Sequence, residues 1–344
     1  MVMKTQALAK PTRSTIPTSP SITLVVSPRE RFSYIQPSLE SIYRHTRIPF
    51  ELIYVDVDSP RHLRHYLAQS AAERAFTLLR TNYFMSPNQV RNLALSHART
   101  KYVLFIDNDI HVSPGWLEHL WQCAQETDAA VVAPLLCVGK PLHERILMAG
   151  GEVRIVAERY NRTVHRRLYK ECYHVNRSAS LMQRQLKRRP CEYAELNCML
   201  VKRDIFEQIG PFDEKLLSAR EHVDFCLNVA KVGGKIFCEP KAVVTCVPTM
   251  PSQWSDLAYF MLRWSDAWEA ASLIHFQNKW KLDMDYGFMR NFRYLGHQRH
   301  QLFLLPLLRR LTAGRRVPKL EKLAIRFERW LNQYITDRHR RLVR

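Results

Sequence analysis

Short apolar runs alternate with stretches of helical spacing through the N-terminal half of this 344-residue chain. The runs cover residues 22–26, 50–55, 75–79, 102–106 and 129–132. Continuous apolar and β-branched runs of this length are typical of strands that are buried on both faces of a sheet. Because helices separate these strands along the chain, the pattern predicts an α/β fold with a mostly parallel central sheet flanked by helices.

Polar clusters follow three of the predicted strands directly. The clusters are Ser27-Pro28-Arg29-Glu30, Asp56-Val57-Asp58 and Asp107-Asn108-Asp109. Parallel sheets bind their ligands at the carboxyl ends of the strands, so these clusters are candidate binding residues. A single acidic cluster could equally form a turn or cap a helix. Three clusters at one sheet edge favour a binding site.

Asp107 and Asp109, which flank one residue after a buried strand, carry the most specific chemistry in the chain. Two carboxylates at this spacing can reach the same cation, either directly or through water. Mg²⁺ and Mn²⁺ prefer oxygen ligands and often bind through one or two carboxylates plus substrate phosphates. We therefore predict that Asp107 and Asp109 hold Mg²⁺ or Mn²⁺, which would neutralise charge on a leaving diphosphate.

Further motifs follow in a characteristic order. Asn88, Arg91 and Asn92 precede the strand at 102–106, and the segment 206–214 precedes an acidic helix that starts at Glu221. In this order the motifs resemble those of glycosyltransferase family 2, over roughly residues 21–248. The resemblance implies a GT-A fold, which is a Rossmann-like form of the predicted sheet. It also implies transfer of a sugar, with inversion, from a nucleoside-diphosphate donor to a hydroxyl of a glycan or lipid-linked acceptor.

The resemblance implies a set of donor and metal contacts. Asp107 and Asp109 would contact the cation and the diphosphate. The other donor contacts would be Ser27, Pro28, Glu30, Asp56, Asp58, Arg91 and Asn92. Where the family often has a histidine after the last strand, this chain has Cys246, which is a poor ligand for Mg²⁺. The cation would then depend on the two aspartates, the diphosphate and water.

The general base stays open among Glu221, His222 and Asp224. Inverting members of the family usually carry a Glu-Asp pair at this helix start, and this chain has Glu221 followed by His222. Asp224 lies three residues further on, on the same predicted helix face. His222 suits neutral pH without any shift of its pKa. Glu221 matches the first half of the family's pair, and we favour it as the base.

Composition divides the chain into three parts. Residues 1–20 are polar and rich in Ser, Thr and Pro, which predicts a disordered lead. Residues 21–250 form the predicted catalytic domain, in which the basic stretch 154–190 is interpreted as a flap or insertion. Residues 251–344 form a helical, basic extension. Within it, Trp264 and Trp268 share a predicted helix face and are interpreted as packing residues in preference to sugar-stacking ones.

The extension contains most of the chain's excess charge. Residues 290–344 contain 15 Lys and Arg against 3 acids, and so carry +12 of the formal +20. An anionic membrane surface is the favoured partner, because Leu, Phe and Trp accompany the basic residues. A solvated face is the next interpretation. Nucleic acid is not expected, since no zinc-finger, ribonucleoprotein or helix-turn-helix signature accompanies the charge.

Two other functions compete with sugar transfer: a catalytically weak protein that binds sugar nucleotides, and a basic scaffold that binds nucleic acid. The eight cysteines include no Cys-x-x-Cys pair and several lie in apolar runs, which indicates reduced, buried thiols. No stretch approaches the roughly 20 apolar residues that span a bilayer. We expect a cytoplasmic protein, peripheral on the inner face of a membrane where the extension binds lipid.

Overall fold

A computed structural model of the protein describes residues 21–29, 31–160, 163–247 and 254–343. The predicted lead at 1–20 and the predicted donor contact Glu30 lie outside these ranges. The strands within them are β1 (Ile22–Ser27), β2 (Glu51–Val57), β3 (Thr77–Thr81), β4 (Tyr102–Asp107), β5 (Ile110–Val112), β6 (Val131–Val138), β7 (Ile146–Met148), β8 (Gly151–Tyr160), β9 (Thr163–Cys172), β10 (Arg189–Cys191), β11 (Cys198–Lys202) and β12 (Ile236–Cys246).

The helices cover both faces of the sheet and most of the C-terminal third. They are α1 (Ile35–His45), α2 (Arg61–Arg74), α3 (Pro87–Leu95), α4 (Trp116–Thr127), α5 (Ala179–Met182), α6 (Ile205–Ile209), α7 (Glu221–Lys231), α8 (Trp254–Arg263), α9 (Asp266–Trp280), α10 (Tyr286–Arg293), α11 (His297–Arg299), α12 (Leu305–Leu311) and α13 (Pro318–Val343). A 3-10 turn at Phe32–Tyr34 precedes α1, and a π-helical turn at His300–Leu304 joins α11 to α12.

The central sheet has the strand order β10-β12-β6-β11-β4-β1-β2-β3. Its N-terminal part is parallel: β1 pairs with β2 and β4, and β2 pairs with β3. The predicted α/β fold with a central sheet flanked by helices is confirmed, and the five predicted strands are all present. The register aligns Ser27 of β1 with Asp107 of β4, so two of the three polar clusters start side by side.

An antiparallel strand, β11, follows β4 in the sheet, and beyond it β6 and β12 pair parallel. β11 pairs antiparallel with both β4 and β6. Because β11 runs against β4, its first residues lie beside the last residues of β4. The carbonyl of Asn197 accepts a 2.9 Å hydrogen bond from the backbone N–H of Asp107. This reversal brings a second polar side chain, that of Asn197, to the edge where the parallel strands end.

The basic stretch at 154–190 begins as a β-hairpin. β8 and β9 form a separate antiparallel two-stranded sheet whose register runs from Gly151 opposite Cys172 to Tyr160 opposite Thr163. Gly151 is needed where the hairpin leaves the core, since a Cβ there would lie 2.2 Å from the carbonyl oxygen of Glu171. The hairpin contacts the C-terminal helices, where Asp283 accepts from His165 Nδ1 at 2.8 Å.

The C-terminal helices pack against the rest of the fold through apolar contacts and are joined to one another by buried charges. Tyr259 of α8 stacks on Phe32 and Phe84, with ring centroids 5.8 and 5.1 Å apart. Arg299, which is completely buried, pairs with Glu328 of α13 and with Asp266 of α9. Within the described ranges, no helix combines the length and the apolar character needed to cross a bilayer.

Candidate active site

A cavity of about 320 Å³ lies where β1 and β4 end. Three parts of the chain form its walls: the strand ends, the start of α7 and the C-terminal helices. The lining residues that matter for chemistry are Arg29, Arg91, Asp107, Glu195, Asn197, Glu221, His222, Arg263, Trp264 and Tyr294. The cavity therefore brings together the carboxylate at the end of β4 and the carboxylate at the start of α7.

Asp107 reaches the cavity from the end of β4. Asn197 Nδ2 donates to Asp107 Oδ2 at 2.8 Å, and Ser27 Oγ donates to Oδ1 at 3.4 Å. Two guanidinium groups lie slightly further away: Arg29 Nη1 is 3.7 Å from Oδ2, and Arg91 Nη2 is 3.8 Å from Oδ1. A buried carboxylate needs such donors to compensate for its lost hydration. Asp107 thus lies in a strongly positive environment that would also suit a phosphate group.

Asp109 is held in a buried ion pair and does not line this cavity. Arg31 Nη1 donates to Asp109 Oδ2 at 2.7 Å and to the carbonyl of Val247 at 3.1 Å. The Asp109 and Arg31 side chains are 0% and 4% exposed. Cys246 Sγ lies 4.0 Å from the same carboxylate oxygen. The charge of Asp109 is therefore balanced from within the protein by Arg31.

The carboxylates of the cavity fit a cation that is shared with a substrate. In the part of the chain that the structure describes, no group of three or more His, Cys, Asp or Glu side chains could hold a metal ion. Of the two predicted ligands, Asp107 lines the cavity and Asp109 is engaged by Arg31. Mg²⁺ and Mn²⁺ bind through as few as one carboxylate when phosphates and water complete the shell. Asp107 suits that kind of site.

The predicted donor contacts around α3 separate into two roles. Arg91 is buried, lines the cavity, and donates from Nη1 to Asn88 Oδ1 at 3.0 Å. Asn92 instead makes a two-way amide contact with the backbone of Phe212, accepting from its N–H and donating to its carbonyl, both at 2.9 Å. Arg91 is available to a ligand, whereas Asn92 connects α3 to the loop at 210–214.

The predicted donor contacts after β1 and β2 lie at the same sheet edge. Pro28 lines the cavity, and Ser27 reaches it through Asp107. Asp56 is buried outside the cavity and accepts from the backbone N–H of Ser59 at 3.0 Å and from Arg80 Nε at 2.9 Å. Asp58 is half exposed, in a left-handed turn with φ 56°.

Glu221 is the first residue of α7 and its side chain is 5% exposed. Arg263 Nη2 donates to Glu221 Oε1 at 2.7 Å, while Oε2 has no hydrogen-bond partner among the described residues. Burial raises the pKa of Glu221, but the charges of Arg263, of His222 when it is protonated at low pH, and of Arg91 outweigh this effect and lower the pKa to about 2. Glu221 is therefore ionised at neutral pH, with Oε1 bonded to Arg263 and Oε2 buried without a hydrogen-bond partner among the described residues.

His222, the next residue, lies against a carboxylate that the sequence did not reveal. His222 Nδ1 is 3.4 Å from Glu195 Oε2, and both side chains line the cavity. Burial lowers the pKa of His222, and the nearby charges of Glu195 and Glu221 only partly offset this. The imidazole is therefore mainly neutral at pH 7. A neutral imidazole oriented by a carboxylate is an arrangement that can accept a proton.

Asp224 faces away from the cavity, although it lies only three residues after Glu221. Trp280 Nε1 and Lys279 Nζ each donate to its carboxylate at 2.8 Å, and Asn228 Nδ2 donates at 3.1 Å. These partners belong to α9 and α7, so Asp224 joins the two helices. Of the three candidate bases, Glu221 and His222 line the cavity and Asp224 does not.

The C-terminal helices supply a wall that sequence patterns did not assign to the site. Arg263, Trp264 and Tyr294 all line the cavity. Trp268, by contrast, is buried and makes an edge-to-face contact with His339, with the ring centroids 5.7 Å apart. The only sequence signal was the aromatic and polar mixture at 263–268. Helical spacing could not separate the two tryptophans, because Trp264 precedes Ser265, the N-cap of α9, and so lies outside that helix.

The chain matches a known family over more than half its length. The model of the family described as "Glycosyl transferase family 2" matches residues 23–210. The O-antigen biosynthesis protein RfbC of Myxococcus xanthus is 21% identical over 222 residues, which cover 64% of this chain and 17% of that protein. The pre-mycofactocin glycosyltransferase of Mycobacterium tuberculosis is 27% identical over 161 residues, which cover 46% of this chain and 29% of that protein.

A solved structure shares the fold at low sequence identity. GalNAc-T7, in a crystal structure with UDP, GalNAc and Mn²⁺, superposes with a TM-score of 0.51 at 16% identity. The match covers 84% of this chain and 59% of that chain. The chain spans less than a third of the length of each of the two curated relatives above.

Proposed function

We propose that this chain, a glycosyltransferase of glycosyl transferase family 2 with a GT-A fold, transfers a sugar from a nucleoside-diphosphate donor to an acceptor hydroxyl. The proposed transfer inverts the configuration of the anomeric carbon. One observation carries this proposal. The carboxylates of Asp107, at the end of β4, and Glu221, at the start of α7, line the same cavity. A donor diphosphate bound beside Asp107 and an acceptor hydroxyl bound beside Glu221 would then lie in the same cavity.

The donor end of the proposed site is positively charged. Arg29 and Arg91 lie within 4 Å of the Asp107 carboxylate and would attract the diphosphate. Asp107 would hold Mg²⁺ or Mn²⁺, while Asp109 stays neutralised by Arg31. When bound, the divalent cation would offset the negative charge that grows on the leaving diphosphate. Arg91 would add to that effect from a fixed, buried position, without reorganising during the reaction.

The acceptor end contains the proposed base. Arg263 fixes Glu221 Oε1, and we assign the proton to Oε2, which is buried and has no hydrogen-bond partner among the described residues. In the proposed step, the acceptor oxygen bonds to the anomeric carbon as the bond from that carbon to the diphosphate oxygen breaks. The hydroxyl proton passes to Glu221 Oε2, and the electron pair of the broken bond leaves with the nucleoside diphosphate. Trp264 and Tyr294 also line the cavity and could contact a sugar of a glycan or lipid-linked acceptor.

Nucleotide binding tests the proposal without knowledge of the acceptor. We expect one of UDP, GDP or dTDP, with Mn²⁺ or Mg²⁺, to raise the melting temperature of the protein. At a hundredfold excess over Kd the gain is about 2.7 kcal/mol, or roughly 5 °C for a chain of this size. Hydrolysis of the matching sugar nucleotide would follow. Absence of both binding and turnover across the panel would contradict the proposal, whereas binding without turnover would support the weak-binder alternative.

The pH profile tests the electrostatics around Glu221. In the wild type, a pKa of about 2 keeps Glu221 ionised, so its titration should produce no acid limb in kcat/KM above about pH 4. In Arg263→Gln the positive charge is removed while burial remains, so the pKa of Glu221 rises and an acid limb moves towards neutral pH. The Arg263→Lys variant, which keeps the charge, should retain the wild-type profile.

The same profiles distinguish the two candidate bases. If His222 were the base, the wild type would lose activity as His222 is protonated at acidic pH. The charges that act on His222 are those of Glu195, Glu221, Lys170 and Arg220, so removal of Arg263 would move that limb little, and any movement would be to higher pH, since loss of a nearby positive charge favours the imidazolium form. An Arg263→Gln profile identical to the wild type would therefore count against Glu221.

A further inference from the structure

The outward face of α13 carries a stripe of large apolar side chains. Leu323, Phe327, Trp330 and Tyr334 are 63%, 62%, 62% and 57% exposed. Their spacing of four, three and four residues places them on one side of the helix. The aromatic rings lie against one another, with centroids 5.8 Å apart for Phe327 and Trp330 and 6.4 Å apart for Trp330 and Tyr334. These four residues are called the α13 stripe below.

Buried polar contacts on the opposite face keep the stripe outward. Glu328 accepts from Arg299 Nε at 2.5 Å, and His300 Nε2 is 2.8 Å from its other oxygen. Asn332 donates to the carbonyl of Met261 at 2.7 Å and accepts from the backbone N–H of Asp266 at 3.2 Å. Rotating the helix to bury the stripe would leave these polar groups unpaired, at a large free-energy cost. The exposure of the stripe is thus a property of how α13 docks.

Positive charge runs beside the stripe. The exposed basic residues of α13 are Lys319, Lys322, Arg326, Arg329, Arg338, Arg340 and Arg341. Arg326 and Arg329 each precede a stripe residue by one position, which places them about 100° around the helix from it. The acidic residues of α13 are the buried Glu328 and the half-buried Glu321 and Asp337. The solvent-exposed side of α13 is therefore an apolar stripe flanked by positively charged side chains.

The charge argues against a second copy of the chain as the occupant. The stripe spacing would suit a two-helix seam, but the flanking residues of both helices would then be cationic. Like charges that face each other across such a seam are destabilising. An anionic surface avoids this conflict and also accepts the aromatic rings. Amphipathic helices with basic residues beside Trp, Phe and Leu bind membranes in this way, about 5–10 Å into the headgroup boundary.

We propose that α13 docks the protein onto an anionic lipid surface, with the α13 stripe in the headgroup boundary and the flanking Lys and Arg on lipid phosphates. With 26 residues at about 1.5 Å each, α13 offers a contact roughly 39 Å long. Lipid docking needs no sugar donor or acceptor, so its test is independent of the test of sugar transfer.

Vesicle binding of the full chain tests the proposal. The vesicles contain phosphatidylcholine alone or phosphatidylcholine with 30% phosphatidylglycerol, at about 0.1 M salt. We expect cosedimentation with the anionic vesicles only. The double variant Phe327→Ser/Trp330→Ser should weaken binding at least about tenfold, because two rings are lost from the headgroup boundary. The matched control is Trp254→Ser, which removes an aromatic side chain that is 80% exposed outside α13 and should leave binding unchanged.

Charge reversal provides the second arm. Arg326→Glu/Arg329→Glu should weaken binding to the anionic vesicles at least about tenfold, since each basic residue near the surface contributes. Arg184→Glu/Lys187→Glu changes the net charge equally on an exposed segment elsewhere and should have much less effect. Equal loss in both charge variants, with no effect of Phe327→Ser/Trp330→Ser, would overturn the proposal in favour of diffuse electrostatics. Concentration-dependent dimers that Trp330→Ser dissociates, without vesicle binding, would overturn it in favour of a second copy.

Discussion

Glu221→Gln is expected to lower kcat about 10²- to 10⁴-fold, the usual contribution of a general base. The amide keeps the size of the side chain and can still contact Arg263, but it cannot take the acceptor proton. Because Asp107 and Arg91 are untouched, binding of the donor nucleotide should be unchanged. Rapid-quench or coupled assays with the sugar nucleotide that the wild type consumes would give kcat, and calorimetry would give Kd.

Two neighbours on α7 serve as controls for that result. Asp224→Asn lies outside the cavity, so its kcat should stay near the wild-type value, although the amide keeps either the bond from Trp280 or those from Lys279 and Asn228 and not both. His222→Asn should reduce kcat less than Glu221→Gln does. An active Glu221→Gln together with an inactive His222→Asn would transfer the role of base to His222, oriented by Glu195.

Asp107→Ala is expected to impair nucleotide binding, whereas Asp109→Ala is expected to lower the stability of the fold. Asp107→Ala should weaken Mn²⁺-dependent binding of the nucleoside diphosphate at least about 100-fold, because it removes the carboxylate that lines the cavity. Asp109→Ala should instead cost about 3–5 kcal/mol of unfolding free energy, because it leaves Arg31 buried without its carboxylate partner. Electron paramagnetic resonance of free Mn²⁺ and urea denaturation measure the two effects independently of catalysis.

A double variant separates a structural role of Asp109 from a metal-binding one. Asp109→Leu/Arg31→Met replaces the buried pair by apolar side chains and should recover most of the stability lost in Asp109→Ala. If Asp109 acts mainly through Arg31, the double variant should also keep Mn²⁺-dependent nucleotide binding. Loss of Mn²⁺ binding in a stable double variant would show that Asp109 is itself a metal ligand, as first predicted from the sequence.

The sequence by itself determined five strands of the N-terminal half, the helices between them and the sheet edge at which the polar clusters lie. Apolar runs and helical spacing are local signals, so 102–106 could be recognised as a buried strand without knowledge of its neighbours. The family resemblance rested on the same kind of signal, with motifs in a fixed order along the chain. The fold and the family followed from these local patterns.

Tertiary structure alone decided what each polar side chain does. Arg31 and Asp109 are 78 residues apart in sequence, and Arg263 and Glu221 are 42 apart. No local pattern encodes such pairs, yet they determine that the charge of Asp109 is neutralised and that Glu221 stays ionised with one oxygen bonded to Arg263. Asp224 shows the same limit. Helical spacing groups it with Glu221, but its carboxylate bonds to α9 instead of lining the cavity. The wall formed by Trp264 and Tyr294, and the outward α13 stripe, likewise depend on how distant helices pack together.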